Sequence, residues 1–199
     1  MSRSALGAMR KSMSQNTAPL LQQIFHRVNE SASQKIAAAT AALVLAAMRA
    51  NPQLQSGCRL MLHGDLGAGK TTWVRAFLRA CGITGRVKSP SFSIVESYET
   101  PLDFGGLHIH HLDFYRQDNP TAWQAAGLRD LMTERAIVLI EWPERAQGLP
   151  EPHIEIWISW PDEVSGDAPR DLKIIFHHQP TGFDPAPYLN TWTADVDKP

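Results

Sequence analysis

The chain has 199 residues, enough for one α/β domain with a full core and short for two. Its 43% hydrophobic and 20% charged residues are the proportions of a soluble globular protein, and 19 basic against 20 acidic residues leave a net charge of −1. That balance excludes a chain-wide basic surface for nucleic acid or anionic membrane, so any RNA contact must be local or made through a partner.

Residues 1–21 carry Arg3, Arg10, Lys11 and several serines, with no acidic residue before Glu30. They read as a disordered extension, or as sequence upstream of a true start at Met9 or Met13. The composition also suits an organellar transit peptide, but lacks the apolar run of a secretory signal. IFHRV (Ile24 to Val28) predicts a first strand. Ser31 or Ser33 is the expected cap of the alanine-rich helix that follows, and Asn51 and Pro52 stop it. Its apolar stretch from Ala37 to Met48 is too short and too alanine-rich to span a bilayer, and predicts a helix packed on a sheet.

CRLMLH (Cys58 to His63) is a buried-strand run, and WVRAFLRAC continues as a helix ending at Gly82, with Trp73, Phe77 and Cys81 at helical spacing. The two cysteines have no metal-ligand spacing and are expected as buried thiols. VKSPSFSIVESYE (Val87 to Glu99) reads as a loop entering a strand. PLDFGG (Pro101 to Gly106) is a turn, LHIHHLDFYR returns extended, and the two make an antiparallel hairpin. TAWQAAGLRDLM predicts one short helix. AIVLI (Ala136 to Ile140) is uninterrupted, hence covered on both faces as in a parallel sheet. HIEIWISW and DLKIIF extend the sheet near one side, and residues 181–199, rich in Pro, Asp and Thr, read as a loose tail. The expected fold is a single α/β P-loop NTPase-like domain over residues 22–180. Its mostly parallel central sheet is flanked by helices and carries an antiparallel hairpin or switch segment.

Residues 64–72 read GDLGAGKTT, which satisfies the P-loop pattern GxxxxGK[ST] between a predicted strand and a predicted helix. Glycines allow successive backbone N–H groups to face one concavity, and the following helix dipole favours the same anion. Asp65, Leu66, Gly67, Ala68, Gly69, Lys70, Thr71 and Thr72 are therefore the expected phosphate-binding run. Lys70 meets the outer phosphates, and the Thr71 hydroxyl is a hard ligand for Mg²⁺. A P-loop also needs a carboxylate at the end of a neighbouring apolar strand, and Glu141 directly follows AIVLI.

In HHLDFYR, period-two geometry puts His111, Asp113 and Tyr115 on one face. Asp113 then reads as a second residue for Mg²⁺ or the attacking water, in a switch segment. The bland alternative is a hairpin strand with solvated histidines. A zinc site from His108, His110 and His111 lacks the further Cys or His that would complete it. DFGG at Asp103 matches fragments of kinase and GTPase motifs, but no HRD or NKxD motif accompanies it.

Four segments in order, GDLGAGKTT at 64–72, KSPSFSIVESY at 88–98, HLDFYR at 111–116 and IEWPER at 140–145, make the chain resemble the TsaE family, also described as YjeE-type P-loop ATPases. The GLRDLM segment is similar to that family's acidic helix. The resemblance implies a small ATPase of tRNA threonylcarbamoyladenosine biosynthesis that works with TsaD and TsaB in the cytoplasm. The modified adenosine lies beside the anticodon of tRNAs reading ANN codons, and tRNA is met through the complex. It further implies ATP and Mg²⁺ as cofactors, Lys70, Asp113 and Glu141 as catalytic residues, and Thr71, Asp113 and Glu141 on the metal. Ser89 to Phe92 would form a loop near the γ-phosphate. There, Ser91 replaces the family's usual threonine with its hydroxyl retained. Two rival readings stand beside this one: a small-molecule kinase, for which Arg116 and Arg129 are the available phosphate-closing arginines, and a nucleotide-binding adaptor without useful hydrolysis.

Overall fold

The computed structural model describes residues 19–50, 57–87, 90, 94–125, 127–161, 169–177, 186 and 192. Seven strands form one sheet in the order β1 (Leu21–Val28), β7 (Arg170–Phe176), β6 (Ile154–Ser159), β2 (Cys58–His63), β5 (Ala136–Glu141), β4 (His108–Asp113), β3 (Val95–Glu99). The four inner strands β6, β2, β5 and β4 run parallel. At one side β7 and β1 are antiparallel, and at the other β3 closes the expected hairpin with β4. The mixed α/β fold with a parallel centre is thus as expected, and β6 and β7 extend it on one side.

Every residue of β5 is buried, because successive side chains enter two different cores. Ile137 and Leu139 join a cluster with α1 (Glu30–Ala50) and α2 (Lys70–Ala80), while Val138 and Ile140 pack with Phe114, Trp123, Leu128 and Met132 on the opposite face. The apolar run that suggested a doubly covered strand has this physical origin. On the α2 side, Trp73 and Phe77 stack at 5.6 Å between centroids, and both are fully buried. Burial of side chains this size contributes roughly 1.5–3 kcal/mol each.

Several local expectations are corrected. Helix α1 is capped by Asn29, whose Oδ1 accepts the Ala32 N–H at 2.8 Å, and not by Ser31 or Ser33. TAWQAAGLRDLM is two short helices, α3 (Ala122–Ala125) and α4 (Leu128–Leu131), divided at Gly127 with φ 74°. The hairpin histidines are not all solvated: His108 is exposed, but His110 and His111 are buried. His110 bonds Ser97 through Nδ1 at 2.8 Å and Glu134 through Nε2. Helix α1 is long and apolar enough to cross a membrane by length and composition, yet Ile36, Ala37, Leu43, Val44 and Met48 are spent on the core. Both cysteines are free and buried, and burial pushes the Cys81 thiol up to about 12.

Most of residues 181–199 lies outside the described residues, but Trp192 does not. Its ring meets Phe25 and Phe176 edge-on at 6.2 and 5.0 Å, and its Nε1–H donates to Thr40 Oγ1 at 3.1 Å.

Candidate functional site

The loop from Gly64 to Gly69 joins β2 to α2 at the carboxyl end of the parallel strands, the edge where α/β sheets bind ligands. Glycine is required at two places for different reasons. At Gly64 a Cβ would lie 2.1 Å from the Ile158 carbonyl oxygen, so the loop passes against β6 only without a side chain. Gly69 precedes α2 with φ 108°, in the left-handed region that other residues avoid. The first N–H groups of a helix lack intrahelical acceptors, so the start of α2 directly after this loop suits an anion.

Lys70 is the first residue of α2 and is almost wholly buried. Its Nζ donates to the Gly64 carbonyl and, at 2.9 Å, to the Asp65 carbonyl. The Trp142 ring lies over it, with Nζ 3.7 Å from the centroid. Burial draws the lysine below its ordinary pKa, and the carboxylates of Glu141, Glu144, Asp113 and Asp65 act in the opposite sense.

Thr71, one residue on, donates its Oγ1–H to Glu141 Oε2 at 2.9 Å. The other oxygen of Glu141, Oε1, lies 2.8 Å from His111 Nε2. Glu141 is 2% exposed and His111 not at all. Asp113 stands opposite Glu141 in the β4–β5 ladder, and its Oδ1 accepts the Tyr115 N–H at 2.9 Å. Lys70, Thr71, Asp113 and Glu141, separated by up to 71 positions, are therefore brought together by three adjoining elements. Ala68 is buried within the loop, Leu66 is 66% exposed, and Thr72 faces a groove between α1 and α2. Ser91, and with it the loop expected from Ser89 to Phe92, lies outside the described residues apart from Pro90.

A hard, phosphate-borne cation fits this donor set. Among the described residues no group of three or more His, Cys, Asp or Glu forms a metal cage. Two adjacent hard oxygens, Thr71 Oγ1 and Glu141 Oε2, with the Asp113 carboxylate on the next strand, suit an ion such as Mg²⁺. Such an ion takes few protein ligands and completes its shell from water and phosphate.

Four further residues join the site without a role foreseen from the sequence: Trp142, Tyr115, Arg145 and His111. Trp142 adopts φ 58° and ψ 49°, an uncommon conformation for a bulky side chain, and this turns its ring back over Lys70. Tyr115 packs on Trp142 at 4.9 Å between centroids, and the Arg145 guanidinium lies 5.1 and 5.5 Å from the two ring centres. His111 contacts Glu141 directly. The acid followed by Trp-Pro was the available signal for the first of these. Beside Gly64 and Asp65, on the sheet face opposite α2, a cavity of about 570 Å³ is bounded by Ile24, Trp142, Glu144, Trp157 and Lys173.

Comparison with known proteins places these residues in context. The family model described as "Threonylcarbamoyl adenosine biosynthesis protein TsaE" matches residues 29–170. A Haemophilus influenzae relative named tRNA threonylcarbamoyladenosine biosynthesis protein TsaE is 44% identical over 115 residues, covering 57% of this chain and 67% of that protein. Relatives of the same name from Synechocystis and Bacillus subtilis are 38% and 34% identical over 106 and 114 residues. They are covered to 62% and 66%, against 49% and 57% of this chain. The chain thus spans about two thirds of the length of the relatives it matches. The crystal structure of Bacillus subtilis YdiB superposes with a TM-score of 0.58 at 25% identity, over 88% of this chain and 94% of that one.

Proposed function

This chain belongs to the TsaE family, and on that premise we propose that it binds and hydrolyses ATP with Mg²⁺ in the service of threonylcarbamoyladenosine formation in tRNA. The relatives' name ties them to that modification. In this reading the protein works with TsaD and TsaB at the adenosine beside the anticodon of tRNAs reading ANN codons, and it meets tRNA through their complex.

The observation that carries the reading is Glu141, a buried carboxylate at the end of β5 held against Thr71 in the first turn of the phosphate-loop helix. Thr71, Glu141 and Asp113 would hold Mg²⁺, which when bound would supply positive charge to the outer phosphates. Lys70 releases the Gly64 and Asp65 carbonyls and turns to the phosphates, whose charge replaces those acceptors. Trp142, Tyr115 and Arg145 cover the mouth and limit access of bulk water. With ATP bound, the carboxylates of Glu141 and Asp113 orient the attacking water. Turnover is slow in the isolated protein and rises when TsaD and TsaB are added.

Nucleotide binding and phosphate release test this directly. Lys70→Ala is expected to lower ATP affinity at least tenfold, and Glu141→Ala to retain binding while cutting phosphate release about a hundredfold or more. Unchanged release by both variants would defeat the reading. The cavity beside Gly64 and Asp65 favours one second reading, a small-molecule kinase, because it is large enough for an acceptor. Phosphate recovered on a metabolite instead of in solution would establish that reading.

A further inference from the structure

We propose that His111 is a positioning residue for the cation site: its Nε2–H fixes the Glu141 carboxylate so that Oε2 is held toward Thr71 and the nucleotide-borne ion. The inference rests on the reading that Glu141 serves Mg²⁺. Its substance is how a buried carboxylate at the end of a strand is kept in one orientation.

The terminal torsion of a glutamate is broad, so backbone placement alone leaves the plane of its carboxyl group undetermined. Glu141 is 2% exposed, so water does not fix it either. Two donors do: the Thr71 hydroxyl on Oε2 at 2.9 Å and the His111 ring on Oε1 at 2.8 Å. A carboxylate only accepts, so the proton of this pair sits on His111 Nε2. The Thr71 bond is the one that must yield or be shared when a cation approaches, because that hydroxyl is itself a ligand. His111 is on the far side of the carboxylate and its bond persists.

The position of His111 is itself fixed by the sheet. It is wholly buried on β4, opposite Leu139 in the β4–β5 ladder, and faces the same side as Ile109 and Asp113. Its second ring nitrogen, Nδ1, is buried with no hydrogen-bond partner among the described residues. A histidine retained for packing alone would satisfy Nδ1 or give way to an apolar residue, since an unmet buried nitrogen costs about 1–3 kcal/mol. The single polar contact of the His111 side chain among the described residues is with Glu141. Hydrogen bonds of this kind to a metal-ligating carboxylate typically change metal affinity 10–100-fold.

The test is equilibrium binding of a fluorescent ADP across a Mg²⁺ series, with an EDTA arm for metal-free affinity. It uses full-length wild type and the variants His111→Leu, His111→Gln and His111→Asn. Glutamine places an amide N–H near the position of Nε2, whereas asparagine stops short near Nδ1. The expected result is metal-free ADP affinity within about twofold of wild type in all variants. The Mg²⁺ concentration for half-effect should rise 10–100-fold in His111→Leu and His111→Asn, and return to within about threefold in His111→Gln. If His111→Leu fails to fold, the contrast between glutamine and asparagine decides. Equal Mg²⁺ dependence in all proteins would overturn the proposal, as would equal loss in the glutamine and asparagine variants. Wild type that binds no ADP in either arm would overturn the nucleotide reading beneath it, a result separable from failure at His111.

Discussion

His153 shows how a single buried side chain ties stability to pH. It is fully buried immediately before β6, where its Nδ1 accepts the Arg59 backbone N–H at 3.1 Å and its backbone N–H donates to the Arg59 carbonyl at 2.9 Å. Burial, reinforced by the charges of Arg59 and His177, lowers its pKa from 6.5 to about 3. The native ring is therefore neutral where the unfolded chain takes up a proton. Its contribution to stability is complete above pH 6.5 and is lost as pH falls from there toward 3, with a slope of up to about 1.4 kcal/mol per pH unit. His153→Asn keeps an acceptor near Nδ1 and removes the titration. Urea unfolding at pH 7 and pH 5 should show wild type losing about 2 kcal/mol more than this variant between the two. Identical losses would show that His153 does not titrate across unfolding. Trp142 illustrates a different cost at the same scale. Its left-handed backbone, of order 1–3 kcal/mol uphill for a non-glycine residue, is retained next to Glu141 and over Lys70, where strain is tied to the site.

Among the elements, helix α1 and strand β1 depend on a residue far along the chain. Trp192 fills the space between Phe25, Phe176 and Thr40, so its removal leaves a cavity and deprives the Thr40 hydroxyl of a donor. Trp192→Ala is expected to destabilise the protein by about 3–5 kcal/mol in denaturant unfolding, a cost that a loose tail would not carry. A change below 0.5 kcal/mol would place Trp192 outside the cooperative core. Composition could not reveal this, since a lone tryptophan among Pro, Asp and Thr carries no periodicity. The parallel centre was legible because β5 is apolar from Ala136 to Ile140, and the phosphate loop because its glycines and Gly-Lys-Thr ending are locally diagnostic. The break at Gly127 was not, as alanine and leucine on both sides favour one helix and only the left-handed glycine divides them. Nor was the Asn29 cap, with two serines competing close behind it. The contact of His111 with Glu141 depends on pairing between strands 30 residues apart, which local periodicity does not encode. The sequence did place His111 and Asp113 on one face. The acid followed by Trp-Pro marks Trp142, but local rules favour extended backbone before Pro143, so the return of its ring over Lys70 was not legible.

At the scale of the whole molecule, one edge of the sheet collects the phosphate loop, the carboxylates of Asp113 and Glu141, and the aromatic cover of Tyr115 and Trp142. Hydrolysis at such an edge makes two nucleotide states with different surfaces available, and a ligand or partner that prefers one state shifts the population between them. In the proposed function, ATP turnover resets the modifying assembly, while transfer of the threonylcarbamoyl group belongs to TsaD. The most direct measurement is reconstitution of threonylcarbamoyladenosine formation on an ANN-reading tRNA with TsaD, TsaB, ATP and an activated threonylcarbamoyl donor. Mass analysis of the nucleoside follows multiple turnovers without this protein, with wild type and with Lys70→Ala. Product should rise well beyond one equivalent of enzyme with wild type alone, and Lys70→Ala should behave like omission. Equal product in all three reactions would contradict the account.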